Sequence, residues 1–372
     1  MAGSVYGTLF QIMTWGESHG KGIGVTVDGC PAGLPLSEED IQQYLDRRKP
    51  GQSRFATKRQ EGDRVEILSG IFEGKTTGTP IAMEIRNQDQ RSRDYGNLMD
   101  VYRPGHADYT FDQKYGFRDY RGGGRSSGRE TAGRVAGGAV AAKLLKTLGI
   151  QIRAYTRSVG EIQISPERFN LKEMWNNSLY MPDAEAARQA GEFLNQVMAS
   201  KDSAGGVVEC VITGLPAGIG EPVFDKLDAQ LAKAVMSLGS VKGFEIGDGF
   251  LVSRSRGSLN NDGFRIGDKG QIIKSSNHAG GVLGGISDGD PVVFRAAIKP
   301  TPSIASLQHT VTREGKECDL EIKGRHDPII VPRAVVVVEA MAALTTADLL
   351  LRSMSCRLDR IAGFFGREIG PQ

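Results

Sequence analysis

Residues 121–149 read Arg-Gly-Gly-Gly-Arg-Ser-Ser-Gly-Arg-Glu-Thr-Ala-Gly-Arg-Val-Ala-Gly-Gly-Ala-Val-Ala-Ala-Lys-Leu-Leu-Lys-Thr-Leu-Gly, a glycine- and arginine-rich loop running into a stretch of small residues. Ser127 and Glu130 have the spacing of a capping box, which predicts a helix start at Ser127. Gly149 stands where a C-terminal glycine would end that helix. Gly133, Gly137 and Gly138 fall inside it, and each costs about 1 kcal/mol relative to alanine in a helix interior. A helix so built holds only when other elements pack closely around it, which predicts a central, buried helix. Its start presents unpaired N–H groups and the positive end of the dipole, and Arg125, Arg129 and Arg134 add charge there. One arginine could be a solvated face. Three arginines with two serines and a run of glycines predict an anion or phosphate site.

The rest of the chain brackets this helix with mixed elements. Strands are expected at 5–15, 23–28, 64–70, 80–86, 150–156, 206–213, 249–254 and 291–298. Helices are expected to open at Ser37 and end near Arg47-Arg48, and to cover 183–199, 224–237 and 334–352, with one short regular stretch at 106–116. The longest apolar stretch, Ala334 to Leu351, carries Glu339 and Asp348, which reads as a buried core helix rather than a membrane span. No Pro/Ser-rich linker divides the chain, so 1–372 is read as one domain with long functional loops at 47–63, 86–126 and 254–290.

The 372 residues carry a formal charge of only +2, so no global field draws the chain to nucleic acid or membrane. Positive charge is local, in 47–64 and 118–134. Cys30, Cys210, Cys318 and Cys356 lack metal-ligand or disulfide-framework spacing, so no metal is expected and a reducing cytoplasm is. No signal peptide is visible at the N-terminus. Neither a dinucleotide fingerprint nor a P-loop is present.

Two histidines lie in turns: His19 in Gly-Glu-Ser-His-Gly, and His106 in Arg103-Pro-Gly-His-Ala-Asp. A single histidine is more often structural. Two on glycine-braced loops near arginines point to acid–base work or to holding charge against a phosphate. Asp327, in Arg325-His326-Asp327-Pro328, could be a base, an orienting carboxylate or a simple cap; Lys299-Pro300-Thr301-Pro302-Ser303 would suit a stiff phosphate-holding loop. Arginine-rich loops fit a small substrate bearing carboxylate and phosphate, because the guanidinium fork pairs bidentately with both. The residues alone do not name a reaction.

Four motifs, at 16–20, 103–108, 124–139 and 324–328, occur in the order found in chorismate synthases, and the chain resembles that family from Thr8 to about Leu351. The resemblance implies an α+β fold, a β-α-β sandwich with central helices between two antiparallel sheets, assembled as a homotetramer. It implies conversion of 5-enolpyruvylshikimate 3-phosphate to chorismate by anti-1,4-elimination of phosphate and the C6 hydrogen, with reduced FMN and no net redox change. By the same resemblance, His19, His106 and Asp327 would be catalytic: His19 at the leaving phosphate, His106 beside the flavin, Asp327 near flavin N5. Arg48, Arg54, Arg103, Ser127, Arg129 and Arg325 would hold substrate, with Arg48 and Arg54 also connected with NADPH. Arg125, Ser126, Ser127, Gly239, Ser240, Gly284, Lys299, Pro300, Thr301, Pro302, Ser303 and Arg325 would hold FMN. Two other readings are a bifunctional form that also reduces FMN with NADPH, whose extra segments are not visible here, and an RNA- or phosphoprotein-binding module. The latter is opposed by the near-neutral charge and by the lack of aromatics among the basic residues.

Overall fold

The computed structural model describes residues 3–57, 61–88, 98–322 and 327–368. Its frame is two five-stranded sheets with helices between them. The first sheet runs Val5–Tyr6, Gln11–Gly16, Gly22–Asp28, Ile81–Arg86, Val65–Ile67, every neighbour antiparallel. The second runs Val241–Ile246, Val292–Ile298, Gly206–Thr213, Gln151–Val159, Ile162–Gln163, again antiparallel throughout. The fold class is α+β, with two antiparallel sheets enclosing central helices.

The helices are α1 (Glu38–Arg48), α2 (Asp108–Tyr115), α3 (Thr131–Thr147), α4 (Ala184–Ala199), α5 (Leu227–Met236), the single turn α6 (Gly257–Asn260), α7 (Val331–Arg352) and α8 (Leu358–Phe364). Helix α3 lies on the first sheet, α7 lies on the second, and the two pack on each other. The helix glycines mark those contacts. A Cβ on Gly133 would stand 3.1 Å from the Gly24 carbonyl, and one on Gly137 3.0 Å from Ile12 Cγ2. On Gly138 it would fall 2.4 Å from Ala340 Cβ and 2.6 Å from Ala340 Cα of α7. The loss of helix propensity is the condition for backbone-to-backbone approach. Gly138→Ala is therefore expected to lose about 1–3 kcal/mol by overpacking, read as a lower urea midpoint, although alanine is the better helix former. An unchanged midpoint would mean that α3 and α7 can slide apart without loss.

Helix α7 is long and apolar enough to cross a membrane, but 83% of its apolar window is buried in the fold. Its buried carboxylates have internal partners. Glu339 accepts from the Ala154 amide and Arg47, and Asp348 accepts from the amides of Thr8, Leu9 and Phe10.

Three sequence expectations are corrected. The single strand expected at 5–15 is two, Val5–Tyr6 and Gln11–Gly16, paired antiparallel across the Gly7 turn. The expected strand at 249–254 is a 3-10 helix, Gly249–Arg254; the edge strand is Val241–Ile246, which pairs with Val292–Ile298 through an irregularity at Val241/Gly243. The apolar run Phe250-Leu251-Val252 looks like a strand but lies exposed beyond the sheet. The capping box at Ser127 does not form. Ser127 Oγ does cap, accepting from the Arg129 amide, but it caps a 3-10 turn, Gly128–Glu130, and the α-helix begins at Thr131. Glu130 turns to Arg134 at 2.9 Å instead of reaching back to Ser127, whose amide donates to the Gly124 carbonyl. Gly149 follows the helix end with φ +78°, as the sequence requires.

Candidate active site

The loop before α3 is where the two histidine turns meet. A Cβ on Gly122 would stand 2.1 Å from His19 Cε1, and one on Gly123 would stand 2.9 Å from His106 Cε1. Both glycines have positive φ, +89° and +92°, a region that side chains disfavour. Successive bare residues thus each seat one imidazole.

The His19 turn links two strands of the first sheet and is pinned from outside. Asn87 Nδ2 donates to the carbonyls of Glu17 and Gly20, both at 2.9 Å, and Arg125 Nη1 donates to the Gly16 carbonyl. Ser18 Oγ lies 3.2 Å from His19 Nδ1. The His106 turn is closed by a buried ion pair. Arg103 Nε donates to Asp108 Oδ2 and Nη2 to Oδ1, each at 2.7 Å, while Nη2 also lies 2.9 Å from His106 Nδ1. Burial pushes the Asp108 carboxyl up, but the Arg103 bonds outweigh it and hold the group well below the usual carboxylate range. The loop 299–303 docks on this turn. Lys299 Nζ donates to the Gly105 carbonyl at 2.9 Å, and Pro302 Cβ lies 3.0 Å from the Cβ position of Gly105. Ser240, at φ +71°, accepts from the Lys299 amide, which brings Gly239-Ser240 to the same end of the second sheet.

A cationic cluster adjoins the histidines. Arg48, at the end of α1 and 2% exposed, donates to Asp63 from Nε at 3.2 Å and Nη2 at 2.8 Å, and from Nη1 to the Gly128 carbonyl and Thr131 Oγ1. Arg129 donates to the other Asp63 oxygen and, through Nε, to Asn87 Oδ1. Asn87 therefore ties the cluster to the His19 turn. Burial raises the Asp63 carboxyl, and Arg48 and Arg129 together overcome that and hold it below its usual value. Asp327 stands behind Arg48: Oδ1 accepts from the Thr57 amide at 2.8 Å, and Oδ2 from Arg333 Nη1 at 2.6 Å. Arg333 Nε in turn donates to the Arg48 carbonyl.

His19, His106, Arg103, Ser126, Lys299 and Pro302 thus come together, joined to Arg48, Arg129, Asp63 and Asp327. Other expected residues stand differently. Arg54 lies over the Phe55 ring, 4.6 Å from its centroid, with Nη2 beside Gly191 of α4. Arg125 spends its bonds on Ser4, Thr14 and Gly16, and Arg134 pairs with Glu130 and Ser237, so the charge at the α3 start is largely partnered within the protein. Gly284 sits on a hairpin beyond the other end of the Val241–Ile246/Val292–Ile298 pair and is not brought to the histidines within this chain. A cavity of about 600 Å³ lies at that far end, lined among others by Phe244, Phe250, His278 and Leu283. Arg325 falls outside the described residues.

The sequence reading missed Asp63, Asn87 and Arg333. Asp63 alone carried a signal, a lone aspartate after Glu61-Gly62 at the end of a basic loop, and nothing there named its partners. The donor set suits an anionic ring ligand. Thr301 Oγ1 is buried with no hydrogen-bond partner among the described residues, and a Cβ at Gly124, Gly128 or Gly239 would meet no atom within 4 Å, so bare backbone stands clear around Ser126, Ser127 and Lys299.

A two-sheet α+β enzyme with paired histidines set among buried arginines is the class this defines. The chorismate synthase family profile matches residues 10–351. The chorismate synthase of Agathobacter rectalis is 63% identical over 365 residues, 98% of this chain and 99% of that one. Those of Lachnospira eligens and Methanosarcina barkeri are 62% identical, covering 98% of this chain and 100% of that one, and 56% identical, covering 95% and 97%. A crystal structure of a chorismate synthase, 33% identical, superposes with a TM-score of 0.76 over 97% of each chain. The chain belongs to the chorismate synthase family and is a lyase.

Proposed function

We propose that this chain converts 5-enolpyruvylshikimate 3-phosphate to chorismate by anti-1,4-elimination of phosphate and the C6 hydrogen, requiring reduced FMN without net redox change. The observation that carries the reading is the seating of His19 and His106 on adjacent glycines, Gly122 and Gly123, beside a buried arginine cluster. Arg48 and Arg129, aimed by Asp63, bind the substrate's anionic groups with Ser127, Arg103, Arg54 and Arg325. His19 faces the leaving phosphate and supplies a proton or positive charge to it. FMN is held by Arg125, Ser126, Ser127, Gly239, Ser240, Lys299 to Ser303 and Arg325. Reduced flavin, when bound, lends electron density for loss of a C6 hydrogen that no neighbouring group strongly acidifies. His106 holds a proton against the cofactor face of the site. Asp327, fixed by Thr57 and Arg333, assists removal of the C6 hydrogen. The assembly is a cytoplasmic homotetramer, and NADPH serves only as an indirect source of reducing equivalents.

The test is anaerobic. Purified protein and substrate are given chemically reduced FMN, oxidised FMN, or oxidised FMN with NADPH, and chorismate is followed by absorbance. Product only with pre-reduced flavin is the expected result. Product with NADPH and oxidised FMN would establish the bifunctional form, and no product from folded protein under any condition would overturn the reading. In the same assay Asp327→Asn is expected to retain FMN and lose at least ~10²-fold in turnover, the scale of a lost acid–base group. Full activity would reduce Asp327 to an anchor for the 57 and 333 segments.

A further inference from the structure

The Arg103–Asp108 pair does more than close a turn. A guanidinium has only donors and does not lose its proton in proteins. Arg103 Nη2 carries two hydrogens, one directed to Asp108 Oδ1 at 2.7 Å and the other to His106 Nδ1 at 2.9 Å. Nδ1 must therefore offer a lone pair, because the opposite tautomer would set two N–H groups against each other. We propose that Arg103 is a positioning residue that fixes neutral His106 in its Nε2–H tautomer, with Asp108 as the anchor that fixes Arg103.

The surrounding groups fit this assignment. Asp108 Oδ1 lies 3.2 Å from His106 Nδ1, farther than the guanidinium, and its near edge already accepts from Arg103. Asp108 is itself constrained: Oδ2 takes the Arg103 amide at 3.0 Å as well as Nε, and Arg118 Nε stands 3.9 Å from Oδ1. Lys299, from the facing loop, directs its ammonium to the Gly105 carbonyl rather than to the ring. On the ring's other edge, the Cβ position of Gly123 lies 3.3 Å from Nε2 and 3.2 Å from Ser126 Oγ. The Nε2 edge therefore faces bare backbone at the expected cofactor loop. Which nitrogen of a histidine is protonated is set by the bond the other one makes. Here that bond leaves the Nε2–H of His106 as the donor towards a hydrogen-bond-accepting group of a bound ring.

The role of this tautomer in turnover rests on the proposed reaction, but the tautomer itself does not. Protein labelled with [15N]histidine and free of ligand is examined by long-range 15N–1H NMR, with the His106 signals identified by their loss in His106→Gln. The expected wild-type spectrum shows Nε2–H and unprotonated Nδ1 at a pH where the ring is neutral. In Arg103→Met the donor is gone, Asp108 Oδ1 becomes the nearest partner, and the spectrum is expected to switch to Nδ1–H. A wild-type Nδ1–H tautomer or a mixture would overturn the proposal, as would an unaltered tautomer in folded Arg103→Met. If Arg103→Met does not fold, the wild-type spectrum decides alone, because an Nδ1–H or mixed tautomer there is equally fatal. In the assay, Arg103→Met is expected to lower kcat by ~10²-fold or more, the scale of acid–base catalysis. Chorismate formation with the wrong tautomer would sink this assignment and leave the reaction standing; the predicted tautomer without chorismate would do the reverse.

Discussion

Asp63→Ala is expected to destabilise the protein by about 3–5 kcal/mol, the cost of removing one partner from a buried ion pair. Asp63 is 1% exposed and stands between two guanidiniums, Arg48 and Arg129. Without it, Arg48 keeps only neutral acceptors among the described residues, Gly128 O and Thr131 Oγ1, and Arg129 keeps Asn87 Oδ1 and a looser contact with Glu61 at 3.8 Å. Asp63→Asn should fall between wild type and alanine, because an amide oxygen still accepts but carries no charge. The effect has a pH signature. The folded Asp63 carboxyl is held below its usual value, so its stabilisation is complete above the unfolded carboxyl pKa of about 3.9 and is lost as pH falls through the lower folded value. Urea unfolding of wild type and Asp63→Asn should therefore differ most at neutral pH and converge in the acid range. Equal midpoints at pH 7 would show that the arginines find other partners, and the cluster would lose its claim to be preset.

His19→Ala is expected to lower turnover by ~10²-fold or more while leaving the fold intact, as for a lost general acid. The turn carrying it does not depend on the imidazole: Asn87 and Arg125 hold its backbone carbonyls, and the ring packs on Gly122 rather than in the apolar core. Stability and activity should separate, with an unchanged thermal midpoint and a large loss in kcat. Wild-type turnover in this variant would leave His19 as a packing residue for the glycine loop.

Much of the frame was legible because it is written in local chemistry. The helix expected to open at Ser37 does so, with Ser37 as the N-cap of α1. The apolar run after residue 330 is the long buried helix, and Gly133, Gly137 and Gly138 mark the close approaches that their cost implied. The helix boundary at Ser127 failed by a few residues because a cap can serve a 3-10 turn as well as an α-helix. The strand expected at 249–254 failed because an apolar run does not say whether a neighbouring strand is there to receive it.

Sequence by itself determined which residue types were at hand: two histidines on glycine-braced turns, arginines at a helix start, and small residues where helices must touch. Only the tertiary structure decided their partners. Arg48 meets Asp63 and Thr131 across 15 and 83 residues, Asn87 joins Arg129 to the His19 turn, and Gly284 falls at the far end of a sheet from the histidines. Such pairings depend on where long-range contacts bring charged groups out of water. A buried charge must be paired where it comes to rest, and the chain sequence does not specify that place locally.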